Sequence, residues 1–159
     1  MNSHLVAAIV WLAIVIGGYF VIDRLSAPAP VVRATENGKV EIVVPVARDG
    51  HYYLDGEING QSVKFLVDTG ASYVAIGSDI ARRANLPAGV AGFFNTANGS
   101  VEGRIVRDQQ VRADIFEVSG LTVAVMPGRI GYGLLGQNFL KYFEVSQSDG
   151  KLVLRMRQS

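Results

Sequence analysis

The chain has no cysteine and only two histidines, His4 and His51, in 159 residues. Without cysteine there are no disulfides, thiol nucleophiles or Cys-ligated zinc. His4 lies beside an apolar segment, so the globular part holds one histidine at most. That excludes a His-rich metal site and leaves a Ser/His/Asp triad dependent on His51 alone. Charge is also scarce: Lys, Arg, Asp and Glu make up 18% of residues and the formal net charge is +1, which gives no reason to expect a nucleic-acid partner. The length admits one ordinary domain and a short appendage, not two large domains.

What the chain has in excess is apolar residues, and they concentrate at the amino terminus. Leu5 to Ile22 is an unbroken run of 18 residues without a charge. As a helix it would extend roughly 27 Å, close to a bilayer's hydrocarbon thickness. The reading is a single transmembrane helix within residues 1–25, contacting the lipid bilayer through residues 5–22, with Tyr19 and Phe20 near its far end. A cleaved signal peptide is the competing reading. Ala27-Pro28-Ala29 has the A-x-A form, but the apolar stretch is long for that role and no Lys or Arg precedes it. The membrane expected is the inner cell membrane. Arg24, Arg33 and Lys39 follow the run, and the positive-inside rule places what comes next in the cytoplasm.

Residues 26–39 read as an extended linker, opened by Ala27-Pro28-Ala29-Pro30 and closed by Asn37-Gly38. Residues 40–159 then read as a mostly β domain large enough for a core of its own. Val40, Ile42, Val44 and Val46 alternate along a half-buried strand, weakened at Pro45. Segments 51–59 and 61–67 flank Asn59-Gly60, a strong hairpin signal. Further strands are expected over 101–107, 111–118 and 121–126, and a last hairpin over 143–156 around Asp149-Gly150. Two short helices fit the pattern: Ser78 to Asn85, with Ser78 as N-cap, and a turn or two from Gln137 to Tyr142.

Chemistry concentrates in Phe65-Leu66-Val67-Asp68-Thr69-Gly70-Ala71-Ser72. Three apolar residues drive a strand inward, and a carboxylate, a hydroxyl and a glycine follow at once. A carboxylate at the end of a buried strand is costly unless hydrogen bonds or a proton satisfy it, which marks Asp68 as a functional candidate. Gly70 lets a ligand or another backbone approach. The plainer reading is an Asx-turn after a strand. The second signal, Leu134-Leu135-Gly136-Gln137-Asn138-Phe139-Leu140, begins 66 residues after Asp68. A strand ending in Gly136 can pass the Asp68 loop with no Cβ in the way; its plainer reading is a core strand followed by a helix start. The third, Phe94-Asn95-Thr96-Ala97-Asn98-Gly99-Ser100-Val101, reads as a hairpin tip.

In this order the three motifs resemble the retropepsin-like (clan AA) aspartic proteases, in particular the bacterial branch with an amino-terminal membrane helix. The resemblance covers about Val46 to Arg155. It implies an all-β fold: a closed six-stranded-type acid-protease barrel with one or two short helices. It implies that Asp68 is catalytic, with Thr69 and Gly70 as its supports, and that Ala71, Ser72, Asn95, Thr96, Ala97, Asn98 and Gly99 bind a polypeptide substrate, the last five as part of a flap. Leu134, Leu135 and Gly136 would support the active site. No cofactor and no metal are implied. The resemblance also places the domain in the periplasm, against the positive-inside count.

The family works as a homodimer, each protomer lending one aspartate. The residues point the same way: no other aspartate in this chain is followed by Thr-Gly or Ser-Gly, and Asp55-Gly56 and Asp149-Gly150 read as turns. Some viral members carry an acidic residue after Asp-Thr-Gly-Ala and an Arg after the final glycine, forming an interface ion pair. Tyr73, Val74 and Gln137 occupy those neighbourhoods here, so the interface must be built otherwise, with strands 40–46 and 151–156 as candidates. The expectation is a membrane-anchored aspartic endopeptidase. The alternative is a membrane-anchored binding or assembly module that keeps the fold without peptidase activity. A serine hydrolase is a distant third, since no G-x-S-x-G elbow accompanies Ser72 or Ser78; His51 reads as a solvated surface residue.

Overall fold

At Asn59-Gly60 both residues take positive φ, +49° and +81°, as the tightest hairpin turns that match strand twist require. The computed structural model describes residues 6, 9–18, 29–34, 40–96 and 99–157. The turn joins β3 (Tyr53–Ile58) to β4 (Gln61–Val67) in antiparallel register from Tyr53↔Leu66 to Ile58↔Gln61. Chain order continues with β5 (Val74–Gly77), α2 (Ser78–Arg83), β6 (Val90–Thr96), β7 (Gly99–Ala113), β8 (Phe116–Met126), β9 (Gly133–Leu135) and α3 (Gln137–Leu140). Ahead of these lie the helical stretch α1 (9–18), β1 (Val31–Ala34) and β2 (Val40–Pro45); β10 (Phe143–Ser148) and β11 (Lys151–Met156) follow.

Six strands close on themselves. Their order is β3-β4-β9-β5-β8-β7, and β7 returns to β3 through Gly56↔Ala113 and Ile58↔Val111. Closure leaves no open edge in that ring. Beyond it, β6 extends the outer half of β7 as a long hairpin, from Val90↔Ile105 to Thr96↔Gly99. A second sheet has the order β1-β2-β11-β10. The molecule is thus mostly β with a few short helices, as expected.

Both sheets feed one core. Phe65, Leu54, Ile58, Ile76 and Leu135 come from the ring and are fully buried, while Ile42, Val44, Leu152 and Leu154 reach the same cluster from the second sheet. Phe139 of α3 stacks on Phe143 of β10 with centroids 5.1 Å apart, and Phe143 lies 4.8 Å from Phe116 of β8. These rings bind the second sheet to the ring, and the offset contacts add to their burial.

The structure departs from the sequence reading in three places. The strand expected over 111–118 is cut by a turn at Asp114, whose φ is +52° and whose N–H donates to the Asp55 carbonyl at 2.8 Å; a residue that tolerates left-handed backbone found a cross-strand acceptor there. The segment before it continues without a break through Asp108 (φ +60°) at an irregularity in the pairing of β7 with β8, where a bulge absorbs extra residues. Ser78 does not cap α2. Gly77 stands at that position, and the Ser78 hydroxyl instead donates to the Gly128 carbonyl at 3.0 Å. Strands β2 and β11, the candidates for a dimer interface, pair with each other (Val43↔Val153) inside the second sheet, whose open edges are β1 and β10.

In the stretch read as linker, Val31–Ala34 is extended as expected but pairs with β2 from Val31↔Val43 to Ala34↔Val40. The apolar run is helical and exposed over residues 9–18, and the rest of the expected span, apart from residue 6, lies outside the described residues. Among the described residues no helix is long and apolar enough to cross a membrane.

Replacing Phe139 with Ala removes the ring that joins α3 to β10. The expected loss is about 3–5 kcal/mol of unfolding free energy, read as a lower urea midpoint of the full chain.

Candidate active site

Alternation along β4 decides which way Asp68 faces. Phe65 is fully buried and Val67 packs against the core, while Leu66 is only half-buried on the opposite face. Asp68 continues the Leu66 side, so it leaves the strand away from the core. Its N–H donates to the Leu135 carbonyl at 3.2 Å, and its own carbonyl accepts the Ala71 N–H at 3.3 Å. One carboxylate oxygen, Oδ1, accepts the Gly70 N–H at 2.9 Å. The chain therefore turns tightly around the carboxylate, leaving it half-buried with Thr69 and Gly70 exposed beside it.

The second motif grips this loop. Strand β9 runs parallel to β4, Leu66↔Leu134 and Val67↔Leu135, and touches β5 at Ala75↔Leu134. At its end Gly136 presses against the loop so closely that a Cβ there would stand 2.3 Å from the Tyr73 carbonyl oxygen and 2.7 Å from that of Ala71. The approach expected from the sequence is present, and only glycine permits it. Past Gly136, the Gln137 and Asn138 N–H groups donate to the Ala71 and Ser72 carbonyls at 2.7 and 3.1 Å.

Side-chain amides complete the grip. Gln137 Nε2 donates to the Thr69 carbonyl at 2.8 Å. Asn138 Oδ1 accepts the Val74 N–H at 2.8 Å, and its Nδ2 donates to the Thr122 carbonyl at 2.7 Å. Asn138 thus ties together β5, β8 and α3. Neither amide stood among the expected site residues, although both lie within the Leu134 to Leu140 motif. Their spacing after a glycine was the available signal, and their geometry could not be read from it.

Asp68, Thr69, Gly70, Ala71 and Ser72 are therefore brought together with Leu134, Leu135 and Gly136. The expected flap residues stand apart on the β6–β7 hairpin: Asn95, Thr96 and Gly99 are exposed near its tip, and the Thr96 hydroxyl donates to the Gly99 carbonyl at 2.8 Å. Ala97 and Asn98 lie outside the described residues. Phe94 folds its ring over Gly103, where a Cβ would come within 3.0 Å of it, so the hairpin carries its own small apolar pad. His51 is exposed, in line with its surface reading, and Ser78 is engaged by Gly128. Among the described residues no three His, Asp or Glu side chains are grouped to hold a metal ion.

Two substitutions probe the grip. Gly136→Ala drives a methyl group into fixed backbone and is expected to cost about 3 kcal/mol or more. Asn138→Ala strands the Val74 N–H and the Thr122 carbonyl at a cost of about 1–3 kcal/mol each. Denaturant titration of each variant measures both.

Comparison with known proteins agrees with this geometry. Residues 54–142 match the family described as "gag-polyprotein putative aspartyl protease". An uncharacterised protein from the region 5′ of cobV in a Sinorhizobium species is 31% identical over 138 residues, covering 79% of this chain and 57% of its own length. An uncharacterised protein of Rickettsia prowazekii (strain Madrid E) is 28% identical over 163 residues, covering 92% of this chain and 67% of its own. The chain thus spans between about half and two thirds of the length of these relatives. A crystal structure of a retropepsin-like aspartic protease from Rickettsia conorii superposes with a TM-score of 0.61 at 23% identity, covering 81% of this chain and 95% of that one; that likeness speaks for the fold. With the family match extending from β3 through α3 and enclosing both the Asp68 loop and its Gly136 clamp, the chain belongs to the gag-polyprotein aspartyl protease family.

Proposed function

We propose that the protein is an aspartic endopeptidase assembled as a homodimer, with Asp68 of each protomer supplying one of two catalytic carboxylates. The observation that carries this reading is the Asp68 carboxylate itself, held by the Gly70 N–H in a loop locked from behind by Gly136, Gln137 and Asn138. Hydrolysis by this route needs two carboxylates around one water, and the motif occurs once in the chain.

Two carboxylates about 3 Å apart cannot both ionise, so the pair holds one proton and titrates as a unit. The ionised member takes a proton from water as the oxygen attacks the scissile carbonyl carbon. The protonated member hydrogen-bonds the carbonyl oxygen, and collapse of the tetrahedral intermediate breaks the C–N bond as a proton passes to the leaving nitrogen. The exposed Thr69 hydroxyl crosses the two-fold axis to steady the opposite loop. Ala71 and Ser72 border the substrate from below; Asn95, Thr96, Ala97, Asn98 and Gly99 cover it from the hairpin and exclude water. Leu134, Leu135 and Gly136 support the loop.

The run from Leu5 to Ile22 anchors each protomer in the inner cell membrane, and residues 26–39 connect it to the protease domain, residues 40–159. Confinement to a plane raises the effective concentration of protomers and offsets a weak interface. The positive charges after the run favour a cytoplasmic domain, the family resemblance a periplasmic one.

The test is a peptide library incubated with the full chain in detergent, wild type and Asp68→Asn, from pH 3 to 8. Wild type is expected to cleave best at acid pH and to lose activity as the pH rises and the shared proton is lost, while Asp68→Asn cleaves about 10²–10⁴-fold more slowly. Equal cleavage by the two proteins refutes the assignment. A chain that cleaves nothing and sediments as a monomer identifies instead a binding module that retains the fold.

A further inference from the structure

The turn between β8 and β9 is fastened to the start of α2 near its first residues. Gly77, the last residue of β5, pairs with Met126 at the end of β8. Next to it, Ser78 gives both its N–H and its hydroxyl to the Gly128 carbonyl, each at 3.0 Å. Gly128 has a φ of +88°, a conformation open to glycine and costly for other residues. The chain swings round that fixed carbonyl and runs on through Arg129, Ile130, Gly131 and Tyr132 to β9.

Close to this hold lie an acceptor and a donor that do not meet. Asp79 Oδ2 accepts from Arg83 Nη1 at 3.2 Å, and the Asp79 side chain is only 12% exposed. Its other oxygen, Oδ1, is buried and, among the described residues, has no hydrogen-bond partner. The Ile130 N–H is likewise engaged by none of them. Both atoms stand against Gly77: a Cβ there would lie 2.6 Å from Asp79 Oδ1 and 2.7 Å from the Ile130 nitrogen. They are therefore no further apart than those two distances laid end to end, and only the missing side chain of Gly77 lets them come so near. A buried carboxylate oxygen without a donor is unfavourable, and the turn offers it one.

We propose that Asp79 is a positioning residue: the turn closes on it, the Ile130 N–H donating to Asp79 Oδ1, and this latch fixes the entry of β9. The inference rests on the peptidase reading of Asp68. Closure moves only Arg129 to Tyr132, because Ser78 holds the residue before them and β4 the one after. The path to the site is short. Strand β9 has three residues, touches β5 at the single pair Ala75↔Leu134, and leads directly into Gly136, whose backbone presses on the Asp68 loop. So short a strand frays from its open end unless that end is held. With the latch made, the Gly136 clamp bears on the loop from a fixed support.

The experiment follows hydrogen exchange at the Ile130 amide by residue-resolved mass spectrometry of the full chain in detergent, as wild type, Asp79→Ala, Asp79→Asn and Arg83→Ala. The Val125 amide of β8 reports overall folding. Ile130 is expected to exchange about tenfold faster in Asp79→Ala than in wild type, with Val125 unchanged. Asp79→Asn keeps an oxygen at that place, and Arg83→Ala frees only Oδ2, so both are expected to exchange as wild type does. On a peptide that wild type cleaves, Asp79→Ala is expected to lower kcat about fivefold with KM unchanged, and Asp79→Asn to restore it. Should Asp79→Ala unfold, wild type alone decides: an Ile130 amide exchanging as fast as in an unstructured peptide overturns the latch. Equal Ile130 exchange in wild type and Asp79→Ala overturns it too, as does equal kcat with Asp68-dependent cleavage intact, and these results leave the peptidase reading standing. Absence of Asp68-dependent cleavage in wild type overturns that reading and the positioning role with it.

Discussion

The site depends on one close approach: the backbone of Gly136 lying against the carbonyls of Ala71 and Tyr73. At that separation no side chain fits, and the peptide groups on either side meet directly, through the Gln137 and Asn138 N–H bonds to Ala71 and Ser72. A loop that leaves a strand carrying a carboxylate would otherwise be a mobile surface turn. Here it is held on one side by its own strand and on the other by the start of α3, so Asp68 occupies a defined position without being buried in apolar surroundings. Most of that rigidity is bought with backbone groups and two amides rather than with charge.

The clamp in turn rests on the core. Phe139 follows Asn138 by one residue and is fully buried on Phe143. The helix that carries the clamping amides is only four residues long, and so short a helix is not stable by itself. Its ring packing supplies what propensity does not. Because Phe143 opens β10, the same packing fastens the second sheet, and its Arg155–Glu41 pair at 2.7 Å, to the elements behind the site. Partly exposed ion pairs of that kind add little stability; the aromatic contacts dominate.

Much of this was readable in the residues. Asn59-Gly60 and Asp149-Gly150 marked their hairpins because few residues accept positive φ, and the glycines needed there are visible as letters. The motifs around Asp68 and Gly136 identified the loop and the strand end that the structure brings together, and the motif from Asn95 to Val101 marked the hairpin of β6 and β7. Less legible were features set by a distant partner. Asp114 turns where an Asp55 carbonyl waits across the sheet, Ser78 gives its hydroxyl to Gly128 instead of its own helix, and the stretch after Pro30 becomes a strand because β2 offers it an edge. Local preference was satisfied in each case, but by a group far off in sequence.

The sequence alone determined the chemistry on offer: one Asp-Thr-Gly carboxylate, no thiol, two histidines and a long uncharged apolar run, since side-chain identity needs no fold to be known. It determined the hairpins too, because a turn's demand on φ is local. Only the tertiary structure decided that Gln137 and Asn138 hold the loop, that β2 and β11 lie inside a sheet, and that Asp79 and the Ile130 N–H come together at Gly77. Those facts depend on register between strands far apart in the chain. Register is decided by how the whole apolar set packs, since a slip of one residue exchanges the two faces.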